Sequence, residues 1–144
     1  MTPFLRLQNE SQMVELVRQW VHELKPGQIV FLKGNLGAGK TTWVRHALRA
    51  LGCQEHIKSP SYTIVESYEL SGQLIHHFDL YRIVDPQELV YIGLESYLDH
   101  QAMIFVEWPD LGQGVLPKPD WEIELAADPQ DPQARILRMF KHAE

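Results

Sequence analysis

Apolar side chains at Met13, Val14, Leu16, Val17, Trp20, Val21 and Leu24 follow the i, i+3, i+4, i+7 rhythm of an amphipathic helix, predicting one over 11–24. Asn9 or Ser11 can cap its start, and Pro26-Gly27 stops it. The period then changes. Gln28-Ile29-Val30-Phe31-Leu32-Lys33 is a short apolar run rich in β-branched residues, the signature of a strand buried on both faces. A glycine-rich turn follows, then a helix from about Gly39 to Leu51 that ends at Gly52. Residues 63–70 and 73–78 are strand-like and joined only by Ser71-Gly72, which predicts a hairpin. Asp85-Pro86-Gln87-Glu88 has the form of a helix start, with Asp as N-cap, Pro at N1 and Glu at N3. Residues 102–106 form a second buried-strand pattern that runs into Glu107-Trp108-Pro109, followed by a loop over 109–119. Two late strands, 121–126 and 134–142, flank a polar turn containing Pro129 and Pro132. The chain contains no internal repeat and no low-complexity tract.

The 144 residues are 44% apolar and 22% charged, the balance of a globular chain able to bury a core. One domain over 1–144 is expected. The lone cysteine, Cys53, excludes an internal disulfide framework and points to a reducing compartment. No apolar run approaches the roughly 20 residues of a membrane span, and the opening MTPFLRLQNE has no secretory core. A cytoplasmic protein without a membrane partner is therefore expected. The net charge of -6 is a poor footprint for gripping nucleic acid alone, and DNA is not an expected partner. Charge is unevenly spread. Residues 33–58 hold Lys33, Lys40, Arg45, Arg49 and Lys58 against Glu55, whereas 85–131 hold eleven acids against Lys118. A small basic neighbourhood in an acidic body suits a compact polyanion better than a duplex.

That neighbourhood contains Gly34-Asn35-Leu36-Gly37-Ala38-Gly39-Lys40-Thr41, a match to G-x-x-x-x-G-K-[ST]. Glycines let successive backbone N–H groups point into one concavity, and the N-terminus of the following helix adds its positive end. Lys40 supplies a charge for β- and γ-phosphates, and Thr41 a hydroxyl for Mg²⁺. The expected fold is thus α/β: a single P-loop NTPase-like domain, a central mixed and mostly parallel sheet flanked by helices, with a β-hairpin after the P-loop helix. A triphosphate site also needs an acid at a neighbouring strand end, and Asp79 and Glu107 both qualify. Adjacent His76 and His77 face opposite sides of a strand, so packing or a hydrogen bond from His77 is expected rather than metal ligation. Cys53 reads as an ordinary small residue, and the tryptophans as core or rim, with Trp108 singled out by its place after Glu107.

GNLGAGKTT (34–42), SPSYTIVESY (59–68), HFDLYR (77–82) and VEWPDLGQGVLP (106–117) together resemble the bacterial TsaE family, over about Glu10 to Arg135. The resemblance implies a small P-loop ATPase that works with TsaB and TsaD in building threonylcarbamoyladenosine on tRNA, touching tRNA only through that complex. It implies that Gly37, Ala38, Gly39, Lys40, Thr41 and Thr42 hold the nucleotide, with Glu10 touching it from the N-terminal segment. Thr41 and Glu107 would ligate Mg²⁺, Asp79 would sit near the γ-phosphate, and Lys40, Asp79 and Glu107 form the catalytic set. Ser59, Ser61 and Tyr62 would lie on a sensing loop, and Trp108 would matter to activity or partner contact. Asn35 and Ser61 depart from the family's usual Asp and Thr. No arginine is clearly placed to stabilise the transferred phosphoryl group; Arg45 and Arg82 are nearest, so activity is expected to be weak alone and stimulated by partners. The alternatives are a small-molecule kinase, for which 85–131 lacks the arginines of a lid, and a nucleotide-dependent switch.

Overall fold

A computed structural model describes residues 3–98 and 101–142; Asp99, one of the acids counted above, lies outside them. Among the described residues the strands are β1 (Leu5–Leu7), β2 (Ile29–Lys33), β3 (Val65–Leu70), β4 (Gln73–Asp79), β5 (Met103–Glu107), β6 (Trp121–Asp128) and β7 (Asp131–Lys141). The helices are α1 (Glu10–Trp20), α2 (Lys40–Ala50), α3 (Gln87–Tyr91) and α4 (Leu94–Tyr97). The strands form one sheet in the order β1-β7-β6-β2-β5-β4-β3. Its centre, β6-β2-β5-β4, is parallel, and the outer pairings β3–β4, β6–β7 and β1–β7 are antiparallel. The hairpin expected after the P-loop helix is β3–β4, with Ser71 at φ 52 and Gly72 at φ 84 in its turn.

Alternation along the strands builds two cores. Val30, Leu32, Ile75, Phe105, Ile123 and Leu125 face α1 and α2, while Phe78, Ile104 and Val106 face α3 and α4. On the first face Trp20 stacks against Trp43, Phe105 and Trp121, at centroid separations of 5.4, 6.3 and 5.7 Å. These edge and tilted contacts join both long helices to the sheet directly beneath the P-loop helix.

The structure corrects several boundaries. The first helix is capped by Asn9, whose side chain accepts the Gln12 N–H at 3.0 Å, and it tightens into a 3₁₀ turn, Val21–Glu23, before Leu24. The residues read as the end of one helix are thus its tighter continuation, which keeps Val21 and Leu24 buried. The Asp85 carboxylate accepts the Gln87 N–H and Glu88 reaches back to the N–H groups of Val84 and Asp85, as a helix start requires, although the helical span opens one residue beyond Pro86. Within 109–119, Pro109–Gly112 winds one 3₁₀ turn. The last strand begins at Asp131 and takes in Pro132, which sits outside the turn assigned to it. Strand β1, unmarked in the sequence, pairs Leu5, Arg6 and Leu7 with the far side of β7.

Candidate functional site

Strand β2 delivers the chain to Gly34, where φ is +150° and a Cβ would run into the carbonyl oxygen of Leu125 on the neighbouring β6. Only glycine lets the backbone turn there. Gly39 (φ 107°) then caps α2, and its carbonyl accepts the Trp43 N–H at 2.9 Å. The first N–H groups of α2 lack intrahelical partners by geometry, and they open onto a cleft of about 430 Å³. Leu36 to Thr42 form one wall; Ser61, Tyr62, Asp79, Tyr81, Arg82, Glu107 and Trp108 form the rest. The cleft lies at the carboxyl ends of parallel strands β2, β4 and β5, where open α/β sheets bind ligands.

Lys40 is 5% exposed. Its ammonium donates to the carbonyls of Gly34 and, at 3.2 Å, Asn35, and lies 3.8 Å from the ring centroid of Trp108. Burial lowers the Lys40 pKa against the opposing pull of Glu107 and Asp79. Trp108 itself holds φ at 57°, an uncommon conformation for a bulky residue, with Tyr81 tilted against it at 5.0 Å. The aromatic ring therefore roofs the lysine.

Asp79 and Glu107 are register partners at the ends of β4 and β5 and are 6% and 2% exposed. Thr41 Oγ1 lies 2.9 Å from both carboxylate oxygens of Glu107, and His77 Nε2 lies 2.6 Å from Oε2. Asp79 accepts the Tyr81 N–H at 3.0 Å and the Ser61 hydroxyl at 3.4 Å. Burial raises the Asp79 pKa; the Tyr81 hydrogen bond opposes this, and the charge of Glu107 adds to it. Two buried carboxylates beside one hydroxyl form a donor set suited to a hard divalent cation. Among the described residues no group of three His, Cys, Asp or Glu could hold a metal alone. Mg²⁺ held partly by phosphate needs only one or two carboxylates, so Thr41 and Glu107 fit it.

The family model for the threonylcarbamoyl adenosine biosynthesis protein TsaE matches residues 7–136. The chain belongs to the TsaE family. Proteins named tRNA threonylcarbamoyladenosine biosynthesis protein TsaE are similar to it. That of Haemophilus influenzae is 48% identical over 92 residues, 64% of this chain and 58% of its own length. That of Rickettsia felis is 35% identical over 122 residues, 84% and 71% of the two chains. A crystal structure of Bacillus subtilis YdiB superposes with a TM-score of 0.77 at 26% identity, covering 99% of this chain and 88% of that one. The α/β fold expected from the sequence is thus found in a solved structure.

Within this TsaE-family site, Gly37, Ala38, Gly39, Lys40, Thr41, Thr42, Ser61, Tyr62, Asp79, Glu107 and Trp108 all line the one cleft. Ser59 does not, and touches it through the Ser61 hydroxyl at 2.8 Å. Glu10 lies apart, in a second cavity of about 530 Å³ that shares Thr42 with the first. Of the two arginines, Arg82 lines the cleft, its guanidinium 4.4 Å from the centroid of the Tyr62 ring; Arg45 is not part of the wall. Buried Cys53 is an ordinary packed residue, and Trp20, Trp43 and Trp121 belong to the core.

Arg135 is the residue that sequence reasoning missed. From β7 its guanidinium donates to the P-loop carbonyls of Ala38 at 3.0 Å and Gly37 at 3.3 Å, and to those of Pro132 and Ala134. It braces the loop from behind while lining the second cavity. Its distance of 97 residues from Ala38 leaves no local signal; only the sheet order brings them together.

Proposed function

We propose that this chain is a Mg²⁺-dependent ATPase of tRNA threonylcarbamoyladenosine biosynthesis, hydrolysing ATP to ADP and phosphate in support of a TsaB–TsaD complex. The observation that carries this reading is the convergence of Lys40, Thr41, Asp79 and Glu107, from α2, β4 and β5, on one cleft at the mouth of a glycine cradle. The TsaE relatives carry the biosynthetic part of the proposal in their names.

The N–H groups of Gly37 to Thr42 bind the phosphates, and the second cavity, reached past Thr42 and lined by Glu10 and Arg135, has room for the nucleoside. Thr41 and Glu107 would hold Mg²⁺, which supplies charge neutralisation at the β- and γ-oxygens. Lys40 leaves the carbonyls of Gly34 and Asn35 to meet the γ-phosphate, so its ammonium acts on charge that develops in the transition state. Asp79, with a carboxyl held above its ordinary pKa, orients the attacking water and accepts its proton. Arg82, with its guanidinium over the Tyr62 ring, is the arginine that lines the same cleft. Trp108 and Tyr81 shield Lys40 from water.

Phosphate release, followed while TsaB and TsaD homologues are titrated in, tests the proposal. Turnover rises with both partners, and Lys40→Ala abolishes it at least a hundredfold, about the loss expected for a group acting on transition-state charge. Unchanged turnover at saturating partners contradicts the role, and a phosphorylated small molecule in place of free phosphate would make the chain a kinase.

A further inference from the structure

His77 is 1% exposed on the strand that carries Asp79, and its Nδ1 is buried with no hydrogen-bond partner among the described residues. An imidazole in that position is a poor packing residue. Phe105 is its register partner, Ile75 precedes it on the same face, and an aliphatic side chain there would bring no buried polar atom of its own. Its other nitrogen compensates: Nε2 lies 2.6 Å from Glu107 Oε2. A carboxylate only accepts, so Nε2 carries the hydrogen and Nδ1 keeps a lone pair, the less costly group to leave unpaired.

Among the described residues Glu107 receives hydrogen bonds from two side chains, Thr41 and His77. A Thr41 hydroxyl that turns its lone pair to a cation keeps no fixed bond to both carboxylate oxygens. His77 then alone fixes the rotation of the carboxylate, holding Oε2 and leaving Oε1 toward the cleft. We propose that His77 is a positioning residue for the divalent cation, acting through Glu107 and not as a ligand. The inference rests on the metal-nucleotide reading of the cleft and names a residue that reading does not need. Neighbouring His76 has no share in it. His76 lies on the other face, with Nδ1 2.7 Å from the Ser67 hydroxyl and its ring 4.9 Å from that of Tyr97.

The test measures Mn²⁺ binding to the ADP complex by the electron paramagnetic resonance signal of free Mn²⁺, beside ADP affinity in chelator and thermal stability. In His77→Leu, Mn²⁺ affinity falls about 10- to 100-fold, the usual effect of removing a hydrogen bond that orients a metal ligand. Metal-free ADP affinity stays within about twofold, while the melting temperature falls, because the buried Glu107 carboxylate loses one of its hydrogen-bond donors. His77→Gln, whose amide nitrogen reaches close to the position of Nε2, restores Mn²⁺ affinity to within a few fold. Parental Mn²⁺ affinity in His77→Leu overturns the proposal. Should that variant not fold, His77→Asn, too short to reach Glu107, decides in its place, and Mn²⁺ affinity equal to that of His77→Gln overturns it. Failure of the parent protein to bind ADP at all refutes the nucleotide reading itself, and metal-free ADP binding with no Mn²⁺ enhancement in any protein overturns the role of His77.

Discussion

Asp79 keeps a carboxyl in a nearly dry position beside a second carboxylate, and its pKa is raised mainly by burial. A raised carboxyl pKa means that the folded protein holds a proton the unfolded chain has released, so stability is lost as pH rises through the unfolded value toward the folded one. Asp79→Asn therefore raises the melting temperature of the nucleotide-free protein at neutral pH. The gain shrinks as pH falls through about 4 and is gone by about pH 3, where the carboxyl is largely neutral in both states. Thermal melts of the two proteins across that range check the sign. Under the proposed function the same substitution lowers hydrolysis, so stability and activity move in opposite directions. Trp108 offers an optical readout. With the Lys40 ammonium 3.8 Å from its ring centroid and Tyr81 against it, its emission changes when nucleotide draws the lysine away, whereas Trp20, Trp43 and Trp121 sit in the core and do not respond. A Trp108→Phe protein accordingly loses the nucleotide-dependent change and keeps the emission of the other three.

The elements that hold the cleft have unequal tolerance. Gly34 combines a backbone conformation closed to other residues with close approach to β6, so Gly34→Ala destabilises the fold by about 2 kcal/mol or more, measurable by urea unfolding. Gly37 has open space where a Cβ would go and only its φ of +78° to defend, so Gly37→Ala costs less, about 1 kcal/mol. Arg135→Met removes the brace behind the loop. Nucleotide affinity falls about tenfold, the worth of one charge-assisted hydrogen bond, with the circular dichroism unchanged. Elements such as β2 and α2 are legible in the sequence because their signals are local: an apolar run bounded by glycines, then a helical rhythm. β1 is illegible because three residues carry no period, and its strand conformation comes from pairing with an unusually long β7. Pro132 misleads for a related reason. It reads as a turn residue, yet proline is tolerated at a strand start where its missing N–H breaks no essential ladder bond.

At the scale of the molecule, the order β6-β2-β5-β4 turns separate sequence motifs into one site. The glycine motif, HFDLYR and VEWP end on neighbouring parallel strands, so their chemistry meets without any motif being near another in sequence. The motifs name Lys40, Thr41, Asp79 and Glu107, whereas the Arg135 brace and the burial of His77 against Glu107 depend on strand order and packing, which no local pattern encodes. The whole-chain charge is -6, and of the basic residues gathered in 33–58 only Lys40 lines the cleft. Affinity of the isolated chain for tRNA is accordingly weak and rises when TsaB and TsaD homologues are present, a difference that a filter-binding titration at fixed salt measures. Under the proposed function the backbone cradle from Gly34 to Thr42 holds the phosphates of a Mg²⁺-bound nucleotide. Isothermal titration of the folded protein with a non-hydrolysable ATP analogue tests it most directly. One site per chain is expected, strengthened by Mg²⁺ and weakened in Lys40→Ala; no saturable heat with or without the metal would refute nucleotide binding by the cradle.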